Sequence, residues 1–172
     1  GLAALRVALG SPFDVSGAAR HTGRSLIRVE GMAGSVAYRV GRLGALVGGD
    51  VTVAEAEASA MLWRGVRDVA PLTGKTGEVW RIATLPTAAA AVVSRTGGEA
   101  LWDWGGGLVW LLLDSGRGAE VAAAVAGRGH ATLVKGEGGP VFPPEAPDVA
   151  ALVAGLKAKF DPRGILNRGM MG

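Results

Sequence analysis

The sequence has no cysteine and only two histidines among its 172 residues. Without thiols the chain forms no disulfide, holds no iron–sulfur cluster and performs no thiol chemistry. His21 and His130 are isolated from each other and from any carboxylate grouping, so no metal site is expected. Also missing are G-x-G-x-x-G after a strand, a P-loop, G-x-S-x-G and any glycine loop that opens a helix to cradle a phosphate. No apolar run reaches the length of a transmembrane helix, and the N-terminus lacks the charged-then-apolar pattern of a signal peptide. Lys and Arg are scattered without a run and the net charge is only +3, which argues against a nucleic-acid partner.

What is present is apolar. Hydrophobic residues make up 49% of the chain and charged residues 19%, the balance of a well-packed globular protein. The length suits one sizeable domain or two small units sharing a core. The chain opens on Gly1, which fits either processing or a piece of a longer polypeptide.

Hydrophobic periodicity divides the chain into two halves. In the first, Leu2–Leu9 reads as a helix with Leu2, Leu5 and Leu9 on one face. Phe13–Ala19 and Ser25–Glu30 read as strands joined by a loop at residues 21–24. A helix capped by Ser35 comes next, with Val36, Val40, Leu43 and Val47 at helical period. Val51–Glu55 reads as a short strand and Glu57–Val69 as an amphipathic helix. Pro71–Gly77 is the one internal linker. Beyond it come a strand at Glu78–Leu85, a helix opened by Pro86 and Thr87 and a strand at Glu99–Trp104. A turn at Gly105-Gly106-Gly107, a strand at Leu108–Leu113, a helix at Gly118–Ala126 and a strand at His130–Lys135 complete the half.

The second half is therefore β-α-β-β-α-β, the ferredoxin-like arrangement. The first half is α-β-β-α-β, the same unit lacking its first strand. The expected fold is α+β: one antiparallel sheet with helices on one face, built from two ferredoxin-like repeats at about 1–70 and 78–136. The first repeat lacks its opening strand, and a C-terminal helix and tail over 146–172 close the fold.

In that last helix Val149, Leu152, Val153, Leu156 and Phe160 form one apolar face, Lys157 and Lys159 suit the C-terminal end of the dipole, and Pro162 stops it. Two readings stand for the residues after Pro162: a disordered tail, or an ordered one that packs Ile165 and Leu166 onto the domain and fixes Asn167.

Four residues are candidates for chemistry. Arg81 lies in a half-buried strand and needs a partner. That partner is either a neighbouring-strand carboxylate such as Asp103 or the carboxylate of a substrate gripped in bidentate fashion. Trp102 and Trp104, two apart in a strand, are expected on one face, clustered with Trp110 on the hairpin. Trp104 is the substrate-binding candidate among them, although core packing accounts for the cluster. His130 opens the last strand, either as a packing residue or as a proton carrier near neutral pH. Asn167 offers an amide donor and acceptor if the tail holds it.

The tail sequence Phe160-Asp161-Pro162-Arg163-Gly164-Ile165-Leu166-Asn167-Arg168-Gly169 resembles the F-D-P-x-G-x-x-N-P-G ending of FAD-linked oxidases of the vanillyl-alcohol-oxidase type. Within that family the chain most resembles the E subunits of bacterial glycolate oxidases. It departs at Arg168, where the family has proline, and at Met170, where that subunit has arginine. Further blocks agree in the same order. They are residues 10–19, Val29-Glu30-Gly31, Ser35-Val36-Ala37-Tyr38-Arg39, Trp80-Arg81-Ile82 with Leu85-Pro86, Trp102-Asp103-Trp104, and Gly129-His130-Ala131-Thr132-Leu133.

The resemblance implies the C-terminal cap domain of a flavin-dependent 2-hydroxy-acid oxidase subunit. FAD would be held mainly by an N-terminal domain outside this sequence, and the isolated chain would be inactive. It implies Asn167 and His130 at the flavin, Arg81 and Trp104 at a small 2-hydroxy acid, and a flavin subunit and an iron–sulfur subunit as partners. It also implies a cytoplasmic setting, or a peripheral one at the inner membrane reached through those partners. The competing reading is a stand-alone ferredoxin-like module that senses a ligand or docks a partner.

Overall fold

The structure is a computed structural model that describes residues 1–137, 142 and 145–166. In chain order its elements are α1 (Leu2–Leu9), β1 (Gly17–His21), β2 (Arg24–Arg28), α2 (Ala33–Val47), α3 (Ala56–Arg67), β3 (Glu78–Thr84) and α4 (Ala89–Thr96). Then come β4 (Glu99–Asp103), β5 (Leu108–Leu113), α5 (Gly118–Val125), β6 (Gly129–Lys135) and α6 (Pro147–Phe160). The six strands form one sheet in the order β2-β1-β4-β5-β3-β6, antiparallel at every pairing.

The second half builds as its sequence dictates. β3 lies between β5 and β6, with Arg81 opposite Trp110 on one side and Thr132 on the other. Period-two alternation sends Trp80, Ile82, Val109, Leu111, Leu113, Ala131 and Leu133 to one face. There they pack beneath Ala89 and Val92 of α4 and Val121, Ala124 and Val125 of α5. Each such Ile, Leu or Val contributes about 1.5–3 kcal/mol by leaving water.

The opposite face carries a second core under the other end of the sheet. Ala19 and Leu101 meet Val66 of α3 and Leu72, flanked by Leu26, Trp63, Trp110 and Leu112. The helices α4 and α5 thus share one face, while α3 lies on the other. The expected linker is pinned by Leu72, which is fully buried.

The first half departs from its pattern in several places. β1 starts at Gly17, not Phe13. Asp14 has φ +51°, and the Arg39 guanidinium donates to the carbonyls of Phe13 (3.3 Å), Asp14 (3.3 Å) and Glu30 (2.6 Å). Those carbonyls are held by a side chain, and the alternation of Phe13, Val15 and Gly17 does not become a ladder.

The 21–24 loop is a tight hairpin turn. Thr22 (φ +42°) and Gly23 (φ +82°) are both left-handed, which draws His21 and Arg24 into register as the last pair of the ladder. β2 ends at Arg28 rather than Glu30. α2 is capped at Met32, which places Ser35 inside the first turn, without a side-chain cap bond. Residues 51–55 form no regular element and pair with no described strand, so the expected strand there is not formed. α4 begins at Ala89, after a turn at 86–88. In α1 it is Leu5 and Ala8 that are fully buried, while Leu9 is 45% exposed.

The stripe expected on α6 is there but uncovered: Leu152 is 70% exposed, Leu156 59% and Phe160 77%. Beyond it Asp161 accepts hydrogen bonds from the backbone N–H groups of Ile165 and Leu166, both at 2.9 Å. These bonds hold the Asp161 carboxyl below its ordinary range. The tail is therefore ordered as a local turn through residue 166, yet Ile165 and Leu166 remain exposed rather than packed on the domain. Asn167, Arg168 and Met170 lie outside the described residues.

Candidate functional site

The face opposite α4 and α5 is open where β3 and β6 run. Alternation places Arg81, Ala83, His130, Thr132 and Val134 there, and both the exposed His130 and Val134, at 55%, show that the face is uncovered. Arg81 sits at its middle, half-buried between Trp110 and Thr132. Its guanidinium lies 5.5 Å from the centre of the Trp104 ring, a cation–π contact worth about 0.5–2 kcal/mol.

The expected Arg81–Asp103 ion pair is absent. Asp103 instead turns its carboxylate back to accept the Trp104 backbone N–H at 2.7 Å. Among the described residues no carboxylate stands within ion-pair distance of Arg81. A guanidinium over an aromatic ring can keep N–H donors available for the two oxygens of a carboxylate.

Trp104 reaches Arg81 because the strand breaks before it. Trp104 itself has φ +51°, followed by Gly105 at +64° and Gly106 at +104°. The backbone angle at Gly105 favours glycine, whereas a Cβ there would meet only the tip of the exposed Leu9 side chain, which can move aside. This turn corrects the expectation that Trp102 and Trp104 share a face. Trp102 flanks the core under α4 and α5, Trp110 flanks the core over α3, and Trp104 stands 59% exposed beside Arg81.

His130 pairs with Ala83, one row along from the Arg81–Thr132 pair on the same face. Among the described residues its side chain makes no hydrogen bond or ion pair. The structure thus brings Arg81 and Trp104 into contact and sets His130 on the same face. Thr132 was not anticipated. Its signal was simple: it sits two residues after His130 in a strand and so shares its face.

His21 is less isolated than its sequence position suggests. Its Nε2 lies 2.9 Å from Glu99 Oε1, and Lys75 bonds the other oxygen of the same carboxylate. These two partners, Lys75 first, hold the Glu99 carboxyl below its ordinary value of 4.5. A depressed carboxyl adds stability that is complete above the ordinary value and is lost as pH falls through the lowered one. The pairs are partly exposed, so the contribution is under about 1 kcal/mol. Thermal melts should therefore lose part of their acid-side slope, below about pH 4.5, in Glu99→Gln; an unchanged slope would refute the assignment. Among the described residues no group of three or more acidic or histidine side chains is placed to hold a metal.

A dinucleotide needs a cradle for its pyrophosphate, usually backbone N–H groups at a helix N-terminus. The closest approach to one is residues 114–118, a glycine-bearing turn that opens α5. Its Gly116 N–H donates at 2.9 Å to Oε1 of Glu78, whose other oxygen accepts the Trp80 indole N–H at 3.2 Å. A buried carboxylate already occupies the place an anion would take. This turn does not fit the pyrophosphate of FAD.

The fold and the open face define a class: an α+β domain with a six-stranded antiparallel sheet, ferredoxin-like in its second half, that presents on an open face an arginine with no carboxylate partner among the described residues. No family model matches the chain, and no solved structure matches it. The chain is similar to the glycolate oxidase subunit GlcE of Escherichia coli (strain K12), with 33% identity over 162 residues, 93% of this chain and 42% of that protein. It therefore spans less than half the length of that relative. The resemblance drawn from the tail and the ordered blocks holds.

Proposed function

We propose that this domain is the substrate-side cap of a flavin-dependent 2-hydroxy-acid oxidase subunit of the glycolate oxidase type. The observation that carries the reading is Arg81: half-buried, stacked on Trp104, without a carboxylate partner among the described residues, and facing out from an open sheet. A small hydroxy acid brings the missing carboxylate. Arg81 binds it through two parallel N–H···O bonds and Trp104 holds the guanidinium in plane. His130 lies two residues along β6 from Thr132, roughly 6–7 Å, and accepts the proton of the substrate hydroxyl. The flavin supplies the redox chemistry when bound. Because the α5 turn is filled by Glu78, FAD would be held by a part of the polypeptide outside this sequence. Asn167 would meet the flavin edge. Other oxidase subunits, one with flavin and one with iron–sulfur clusters, would pass electrons onward. No helix among the described residues is long and apolar enough to cross a membrane, so any attachment to the inner membrane would run through those subunits.

The test is Arg81→Met in the full-length protein assembled with its partner subunits. Removing a bidentate charge-assisted grip costs about 1.5–3 kcal/mol, or roughly 10- to 150-fold in kcat/KM for glycolate, with the flavin spectrum unchanged. Arg81→Lys, a point charge without the fork, should recover only part of the loss. Wild-type glycolate oxidation by Arg81→Met would overturn the proposal. The 172-residue chain alone, given FAD, should oxidise no glycolate.

A further inference from the structure

The two halves of the sheet meet where β1 runs antiparallel to β4, and each half follows the same plan outward from that line. α1 corresponds to α4, β1 to β4, β2 to β5 and α2 to α5. The connections agree in length. Four residues separate β2 from α2 (29–32) and β5 from α5 (114–117), and three separate α2 from the 51–55 segment (48–50) and α5 from β6 (126–128). By this correspondence the 51–55 segment stands where β6 stands. In the complete half, β3 lies between β5 and β6. In the first half no described strand pairs with the outer side of β2.

Three observations mark the gap. First, β2 is an edge strand. Arg28 O accepts from Ser16 N–H at 2.8 Å on the β1 side, so the backbone groups of Ser25 and Ile27 point away from the sheet. Second, α2 carries a helical apolar stripe of Val36, Val40, Leu43 and Val47, of which only Leu43 is buried, whereas Val121, Ala124 and Val125 of α5 are all buried over β3 and β6. Third, Val51 and Val53 are each 54% exposed in a segment that pairs with no described strand. One missing strand accounts for all three.

We infer that a strand inserts antiparallel to β2, bonded on one side to Ser25 and Ile27 and on the other to residues 51–55, and completes an eight-stranded sheet. Its occupant is the segment that precedes Gly1 in the longer polypeptide. The geometry of α1 favours this source. Gly1 O lies 3.5 Å from Ser25 Oγ, at the start of β2. In the complete half β3 likewise ends at the start of β5, where Thr84 N–H donates to Gly107 O at 3.0 Å, and the chain then turns into α4. The inserted strand would present apolar side chains toward α2, against Val36, Val40 and Val47.

Amide exchange tests this. In the full-length protein the Ser25, Ile27 and Val51–Val53 amides should exchange at least 100-fold more slowly than in the 172-residue chain. Equal exchange in both would overturn the inference, as would a gene that encodes nothing before Gly1. Protection of these amides in the 172-residue chain that rises with its concentration would name a second copy as the occupant instead, and equally overturn it. Ser25→Pro gives a second readout, because proline is tolerated on a free edge but not inside a sheet. In the full-length protein it should speed exchange at 51–55 at least tenfold while leaving Ile82 protected. In the 172-residue chain it should leave 51–55 unchanged.

Discussion

Gly98→Ala should destabilise the fold by about 3 kcal/mol or more, while Gly97→Ala, one residue away, should cost about 1–2 kcal/mol. Both glycines have positive φ, +67° at Gly97 with ψ −158° and +88° at Gly98, so both substitutions carry the conformational penalty of a Cβ in regions that favour glycine. They differ in what surrounds them. A Cβ on Gly97 meets nothing within 4 Å. One on Gly98 would lie 2.4 Å from the Leu112 carbonyl oxygen and 2.5 Å from Leu113 Cδ2. The Leu112 oxygen belongs to β5, in the middle of the sheet, and cannot yield without disturbing the ladder that pairs Glu99 with Leu112. Urea midpoints of the two variants, with equal m-values, would measure the difference. Similar midpoints would mean that the α4–β4 connection is more yielding than the packing implies.

The second large effect belongs to Glu78. It is 3% exposed, and its two oxygens satisfy the Trp80 indole and the Gly116 backbone, one from the core and one from the turn that opens α5. Glu78→Ala strands both donors and removes a negative charge from a helix N-terminus, and should cost about 3 kcal/mol. Glu78→Gln keeps an acceptor for one donor but turns an amide N–H₂ toward the other, and should cost about 1–2 kcal/mol. Denaturant titration of the pair gives the ratio, and indole fluorescence reports the Trp80 environment directly. If Glu78→Ala were as stable as the parent, the carboxylate would be a tolerated passenger and the α5 turn would be open to another anion.

These residues also show how far the sequence could be read. The second half was legible because its strands alternate cleanly, Trp80 and Ile82 against Val79 and Arg81, and glycines stand where turns form. The first half was harder. Phe13, Val15 and Gly17 alternate as well as any strand, but the competing interaction, Arg39 donating to three carbonyls, comes from a helix more distant in the chain. The strand expected at 51–55 has the right composition and the right place in the repeat, yet a strand needs a neighbour, and none described stands beside it. At the candidate site, Arg81 was visible as an arginine in need of a partner. That Asp103 would spend its carboxylate on a backbone N–H, and that Trp104 would swing out of the strand to lie under the guanidinium, is the result of a left-handed residue ahead of a glycine turn. Pattern reading has no access to that angle. Asn167, read from the tail alone, rests on the resemblance.

The line where the two halves meet has a consequence for how the molecule comes apart. β1 and β4 share a single register pair, Arg20 with Trp102, whereas β3 and β5 share six. The first half is further tied in by the small core around Leu72, Val66 and Leu101, by the His21–Glu99 pair and by α1 against the 104–106 turn. Cooperativity should therefore be uneven, the unit from β3 to β6 behaving as one foldon and the β1–β2 hairpin with α1 and α2 opening before it. Under heat, pulling force or protease, the chain should lose its N-terminal half while the C-terminal half still holds its sheet.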